Sequence, residues 1–392
     1  MIRQYEEIRD HQRFAVGALP RNIAWGMVVA GAAAIAIGLA ADPLRTWPNL
    51  LLNGFYTMAL ALGGMVFISL HYLSGASWSA NIRRVPEALM SVLPAAAVLM
   101  LALFFGREWL YPWSRGGYTT QPAVALYLGT PFFFARMALF VGVWTLFAWR
   151  MRRSSLREDA DAAPVHHQRL VRASAGFIVV FAISFSLASF DWLMTLVPHW
   201  SSTMFAIYAF AGVLVGGIAA ITLSVVLLME RGYLVGVVNE NHLHDLGKLM
   251  FAFSIFWAYI WVSQYLLIWY GNLPEETSYY MSRTGDKWIA VFLLNLAVNW
   301  IVPFVVLLPR STKRNPVVLK WIAILILAGR WLDLYLAVMP QTMAAPSVNA
   351  LDLVILAGYA GGFFLLATRA LGEAPLVPMN NPSFYESLGH HQ

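Results

Sequence analysis

Residues 202–229 read STMFAIYAFAGVLVGGIAAITLSVVLLM, without a single Asp, Glu, Lys or Arg. A helix needs roughly 20 apolar residues to cross a hydrocarbon core about 30 Å thick, and this run exceeds that. No water reaches the backbone there, so each amide must bond within the segment, which favours a helix. Nine further stretches obey the same rule: 21–40, 49–73, 82–105, 124–149, 169–196, 245–269, 287–308, 317–338 and 349–368. Over 392 positions, 59% of residues are hydrophobic and 12% charged, about half the charge of a soluble domain. The sequence therefore predicts an all-α polytopic membrane protein with ten transmembrane helices. The expected layout is a tail over 1–20, a membrane domain over 21–370 and a second tail over 371–392.

The net charge of +6 would raise the question of nucleic acid in a soluble chain. Here the basic residues sort by side instead. Counted with Arg21 and Arg369 at the span edges, the two tails and the loops 74–84, 150–172, 230–248 and 309–320 hold 19 Lys and Arg, whereas the opposite loops, counted with Lys287, hold 5. The positive-inside rule puts the 19 in the cytoplasm, and ten spans return both termini there. The expected place is an inner, cytoplasmic membrane, with lipid and no nucleic acid as partner. Met1–Arg21 is polar and shows no apolar core before a small-residue cleavage site, so the first span is expected to be retained. The sequence has no cysteine, which leaves no ligand for a cysteine-held iron–sulfur cluster and no attachment for c-type haem.

Charges inside spans cost about 2.5–3.5 kcal/mol each on insertion scales, so each needs a partner, water or a function. The topology gives them depths. At the cytoplasmic edge stand His71, Glu87 with Arg83 and Arg84, and the run Asn239–Lys248 with His242, His244 and Asp245. Near the middle are Arg136, Asn295 and Asn299, and toward the periplasm Asp191, His199, Gln264, Arg330, Asp333 and Asp352.

Most of these have local structural readings. Glu87 follows Arg84 and Arg83 by three and four residues, a helical ion-pair spacing, and Arg330 and Asp333 share that relation. Asn295 and Asn299, four apart, share a face and can bond neighbouring helices. Arg136 follows Phe132, Phe133, Phe134 and Ala135, so its partner must come from another helix. His242 and His244, two apart, do not share a helical face, and Asp245 suits a helix N-terminus; no metal site is expected. The 16 Trp and 16 Tyr crowd the span ends as an interfacial belt. Gly212, Gly216 and Gly217 read as a packing surface.

Two segments carry a resemblance. The first is Ser189, Phe190, Asp191, Trp192, Leu193, Met194, Thr195, Leu196, Val197, Pro198, His199, Trp200, continuing to Tyr208 and Gly212. The second is Asn239–Lys248, then Phe253, Trp257, Gln264, Trp269, Tyr270, Asn272, Pro274, Glu275, Glu276 and Thr277. They resemble the NrfD-like, polysulfide-reductase-type membrane subunits of bacterial alternative complex III, a quinol:cytochrome c oxidoreductase, and in particular the smaller of its two.

The resemblance implies two four-helix bundles plus two extra helices. It implies a sister NrfD-like subunit, a periplasmic iron–sulfur subunit and c-type cytochrome subunits as partners. Quinone or quinol would be the redox substrate, haem c and iron–sulfur clusters would belong to the partners, and this chain would bind no cofactor of its own. The candidates for quinone binding or proton transfer are then Asp191, His199, Arg330, Asp333, Asp352, Arg136, His71, Glu87, His244 and Asp245. A ladder of such groups suits two half-channels meeting at a barrier. A secondary transporter, with a midplane site and broken helices, and a purely structural scaffold are the competing readings.

The side assignment has a direct test. A reporter fused after Gln392 is expected to report cytoplasm, and one inserted beside Glu275 periplasm; a periplasmic C-terminus would overturn the ten-span topology.

Overall fold

A computed structural model describes residues 13–116, 119, 121–161, 163–378 and 380–391; most of the expected N-terminal tail lies outside them. Among the described residues the chain is helical with no strand. Ten helices are long and apolar enough to cross a membrane: α1 Ala18–Ala41, α2 Pro43–Ser74, α3 Arg84–Leu110, α4 Thr130–Ala160, α5 Pro164–Leu196, α6 Met204–Glu230, α7 Glu240–Gly271, α8 Ile289–Leu307, α9 Pro316–Gln341 and α10 Ala350–Gly372.

Hydropathy makes these segments helical, and short polar signals set their ends. Proline opens α2, α4, α5 and α9, where a missing N–H costs nothing. Asn315 caps α9 through the amides of Val317 and Val318, and Asn239 forms a capping box with His242 at the start of α7. Gly75 and Asn272 close α2 and α7 in the left-handed conformation.

Enclosure orders the helices. In α2 89% of the apolar window is buried, in α6 72% and in α9 67%, whereas α1, α8 and α10 reach 22%. The first three therefore form the centre, and the last three face outward. Successive contacts join α2 to α3 and α5, and α3 to α4, on one flank; α6 joins α7 and α9, and α7 joins α8, on the other. The flanks meet where α2 crosses α6. A Cβ on Gly63 would lie 2.6 Å from both Gly217 Cα and Val213 O, so this crossing tolerates hydrogen alone. The terminal helices α1 and α10 pair with each other.

Three expected loops are structured. The described part of the 150–172 stretch is helix except at Asp161 and Ala163, because α4 runs to Ala160 and α5 begins at Pro164. The loop before α8 contains a helix, Pro274–Thr284, and the 371–392 tail contains another, Phe384–Leu388. The expected 124–149 span begins instead at Thr130, after a separate short helix Pro122–Tyr127. Polarity marks where a helix leaves hydrocarbon; it does not mark where the helix stops.

Ion pairing gives the extended α4 its reason. Glu87, 1% exposed, receives Arg84 Nη1 at 2.5 Å and Arg152 Nη1 at 2.8 Å, together with Ser155 Oγ. Arg83 binds Glu158 and Asp159 near the end of α4. Asn380 and Asn381 tie the C-terminal segment to Asp159 O and Glu158, and Arg84 Nε donates to Pro375 O. The expected pair of Glu87 with Arg83 and Arg84 is thus the centre of a larger clamp. Removing one partner of a buried ion cluster costs about 3–5 kcal/mol because the others stay buried. Glu87→Ala is expected to lower the thermal midpoint in detergent sharply, whereas Arg153→Ala, whose guanidinium among the described residues stacks on Trp149 alone, is expected to leave it unchanged; equal midpoints would refute the clamp.

Candidate proton-transfer site

The central helix α9 brings Arg330 and Asp333 to one face, both buried and directly bonded. Helix α8 faces them. Asn295 Nδ2 donates to Asp333 Oδ1 at 2.8 Å, Asn299 Nδ2 donates to Asn295 Oδ1 at 2.8 Å and to Gly329 O at 3.0 Å, and Arg330 Nη1 donates to Asn299 Oδ1 at 3.3 Å. The guanidinium also stands 5.0 Å from the ring of Trp257. On the α6 side Tyr208 lines the same two cavities as Asp333.

Two local irregularities make this arrangement fit. Pro303 has no N–H to offer Asn299 O, and its ring crowds that carbonyl. Helix α8 answers with a π-turn over Ala297–Ile301, which carries Asn299. On α6, a Cβ at Gly212 would lie 2.6 Å from Arg330 Nη2, so the glycine provides the space for the cation.

Asp333 borders two small cavities. One, about 20 Å³, is lined by Tyr56, Leu60, Tyr208, Gly212 and Arg330. The other, about 10 Å³, is lined by Tyr208, Gln264, Tyr279, Tyr280 and Arg283. Each is about the size of one water molecule. The second leads to the Pro274–Thr284 helix, where Arg283 is 1% exposed. Its guanidinium donates to Leu336 O, Ala337 O and Tyr279 O at 2.7–2.9 Å and lies 3.5 Å from the Tyr279 ring. Burial lowers the Arg283 pKa, and burial raises those of Tyr279 and Tyr280. The tyrosines stay protonated near neutrality, able to donate and accept. Gln264 Oε1 is buried there with no hydrogen-bond partner among the described residues.

A second polar line fastens α9 to the membrane edge. Asp352 binds Arg45 and accepts from Asn49 Nδ2 at 2.6 Å; Asn53 Nδ2 donates to Asn49 Oδ1 at 2.5 Å, and Trp331 Nε1 donates to Asn53 Oδ1 at 3.1 Å. Amide and indole groups orient neighbours without exchanging protons near neutral pH, so this line positions.

The other sequence candidates lie apart from Asp333. Asp191 pairs with Arg136 in the other flank: Arg136 Nε donates to Asp191 Oδ2 at 3.0 Å and Nη1 to Tyr127 O at 2.7 Å, which supplies the partner expected from another helix. The Arg136 guanidinium stacks 3.8 Å over Tyr127, whose hydroxyl burial and the Asp191 charge push up to about 12. His199 is exposed in the following turn at φ 59°, so it does not join Asp191 within the span. Glu87 belongs to the clamp. His71 stacks on Phe67 and places Nδ1 2.7 Å from Phe67 O, facing a cavity of about 60 Å³ with Tyr72, Arg83 and His167. His244 is buried; Asp245 lies 2.6 Å from Lys248 Nζ and 2.7 Å from His390 Nε2. Among the described residues, no group of three or more His, Asp or Glu could hold a metal ion.

His71, Glu87, His244 and Asp245 do not continue the Asp333 cluster. Trp321–Gly329 of α9 has no titratable side chain and spans about 14 Å at 1.5 Å per residue. Leu60, Ile218, Met250, Ile322 and Ile326 pack that layer. The sequence reading missed Tyr208, Tyr279, Tyr280 and Arg283 because tyrosine carries no burial signal and Arg283 sat in an apparent loop. The chain matches no protein-family model and no curated protein.

The fit of Arg330 can be tested by volume. Gly212→Val is expected to displace the guanidinium and cost about 1–3 kcal/mol. Gly216→Ala, whose Cβ would meet Arg330 Cγ and Leu60 Cδ2 at an ordinary 3.5 Å, is expected to be tolerated. Equal thermal midpoints for both variants would show that Arg330 moves freely.

Proposed function

We propose that the chain is the smaller NrfD-like subunit, of the ActF type, in a quinol:electron acceptor oxidoreductase of a bacterial inner membrane, and that Asp333 relays protons toward the face carrying Pro274–Thr284. Both termini are cytoplasmic in this reading, and that face is periplasmic. Quinol gives up two electrons and two protons; the electrons pass to iron–sulfur and c-type haem subunits, and the protons need carriers through hydrocarbon. A sister NrfD-like subunit completes the membrane part. The two stretches Ser189–Gly212 and Asn239–Thr277 support the family, and the grouping of α2–α5 and α6–α9, with α1 and α10 outside, agrees with two bundles and two extra helices.

One observation carries the relay. Asp333 is a buried carboxylate that shares two cavities of single-water size with Tyr208. A carboxylate, a hydroxyl and an ordered water are sufficient parts for proton transfer over hydrogen-bond distances. Cavities of about 20 and 10 Å³ beside Asp333 have room for water and none for a larger solute. The apolar layer toward the cytoplasm limits the relay to one side of the membrane in the described conformation.

The test uses the intact complex reconstituted in vesicles. Tyr208→Phe, which removes one hydroxyl and keeps the ring, is expected to preserve assembly and haem content while lowering the protons released per electron; Asp333→Asn is expected to do the same more strongly. Normal assembly with an unchanged ratio in Tyr208→Phe and Asp333→Asn would overturn the relay and leave a scaffold.

A further inference from the structure

The outer pair α1 and α10 is locked together internally and gapped against the rest. A Cβ on Gly31 would lie 2.5 Å from Gly358 Cα, so the two backbones touch. Beside this contact run two cavities. One, about 460 Å³, is lined by Val16, Arg21, Trp25, Leu365, Thr368 and Arg369 among others. The other, about 250 Å³, lies between the pair and α3, against Ala96, Leu99, Tyr359 and Phe363. They share Val28, Gly362 and Leu366, so they form one groove.

The groove is charged at one end only. Arg21 is exposed, and Arg369 is 81% exposed with Glu373 as its recorded partner, Nε to Oε1 at 3.8 Å. A third guanidinium nearby, Arg152, is committed to Glu87 and to Ala370 O. Among the described residues, two exposed arginines against one half-exposed carboxylate leave an excess positive charge at the mouth. From Arg369 to Tyr359 the groove follows α10 for about 15 Å, at 1.5 Å per residue. That is half of a hydrocarbon core of about 30 Å, the depth of one leaflet.

We propose that this groove binds an anionic phospholipid, with its phosphate at Arg21 and Arg369 and one acyl chain laid along Val28, Gly362 and Leu366 toward Tyr359. The site rests on the membrane-spanning reading and is independent of the proton relay. A guanidinium matches a phosphate by paired N–H donors, and Trp25, half exposed beside Arg21, suits the headgroup level. A quinone fits the charge poorly, because its ring carbonyls are neutral and the mouth is cationic. The small residues Gly31, Ala32, Ala96 and Gly362 leave the floor smooth enough for an extended chain.

The experiment compares the wild-type complex with Arg21→Gln/Arg369→Gln and with Ala32→Phe, which narrows the groove and keeps both cations. Each is purified in detergent, its retained lipid is measured by mass spectrometry, and its thermal midpoint is followed on adding phosphatidylglycerol or phosphatidylcholine. The wild type is expected to retain phosphatidylglycerol and to be stabilised by it selectively. The arginine variant is expected to lose the selectivity at least several-fold, and Ala32→Phe to lose retention with its arginines intact. Equal retention of both lipids by the wild type, retained quinone in place of lipid, or unchanged selectivity in the arginine variant would each overturn the site.

Discussion

A charge placed in hydrocarbon has no solvent to bind, so it must be neutralised where it lies. This constraint organises the interior more than any single packing contact. Arg330 meets Asp333, Arg136 meets Asp191 on a neighbouring helix, and Arg283, with no ion-pair partner among the described residues, spends its donors on three backbone carbonyls and a serine hydroxyl. Each solution fixes helix positions. The Arg136 pair joins α4 to α5, the Asn295 and Asn299 bonds join α8 to α9, and the Arg283 carbonyl bonds seat the Pro274–Thr284 helix on the end of α9.

At the end of the bundle that carries Glu87 the same constraint gathers charges instead of separating them. Charges there cluster, each buried group being neutralised by several partners at once. Glu87, Glu158 and Asp159 gather Arg83, Arg84 and Arg152, and the C-terminal segment closes over the cluster through Asn380 and Asn381. A second seam lies nearby, where Ser387 donates to Trp78 O and Asn239 and Asn241 donate to His390 O. The segment beyond α10 is therefore part of the folded body.

The ten spans were legible because hydropathy over 20 residues is a large, additive signal. Arg330 with Asp333, and Asn295 with Asn299, were legible because helical spacing puts them on one face. Other features depend on tertiary geometry that no local pattern encodes. Glu87 was paired correctly in the sequence, but Arg152 and Ser155 reach it from α4, more than sixty residues away. Tyr208 and Tyr280 carry no burial cost visible in composition, so nothing marked them. His199 was grouped with the periplasmic candidates by depth alone, and the turn that presents it outward follows from Pro198 and its own left-handed backbone. The helical continuation through 150–160 was hidden because its charges look like a loop until their partners on α3 are known.

The π-turn at Ala297–Ile301 carries one residue more than a regular helix would use for the same rise. Each residue of an α-helix advances the azimuth by 100°. The turn therefore acts as a phase shifter within α8: Asn295 before it and Leu307 after it both point inward, although a uniform helix would bring them into different alignment. A relative lacking that one residue would share the hydropathy profile of α8 and yet present another side chain to Asp333. Identity of chemistry at this site is thus a question of helical phase as much as of residue type.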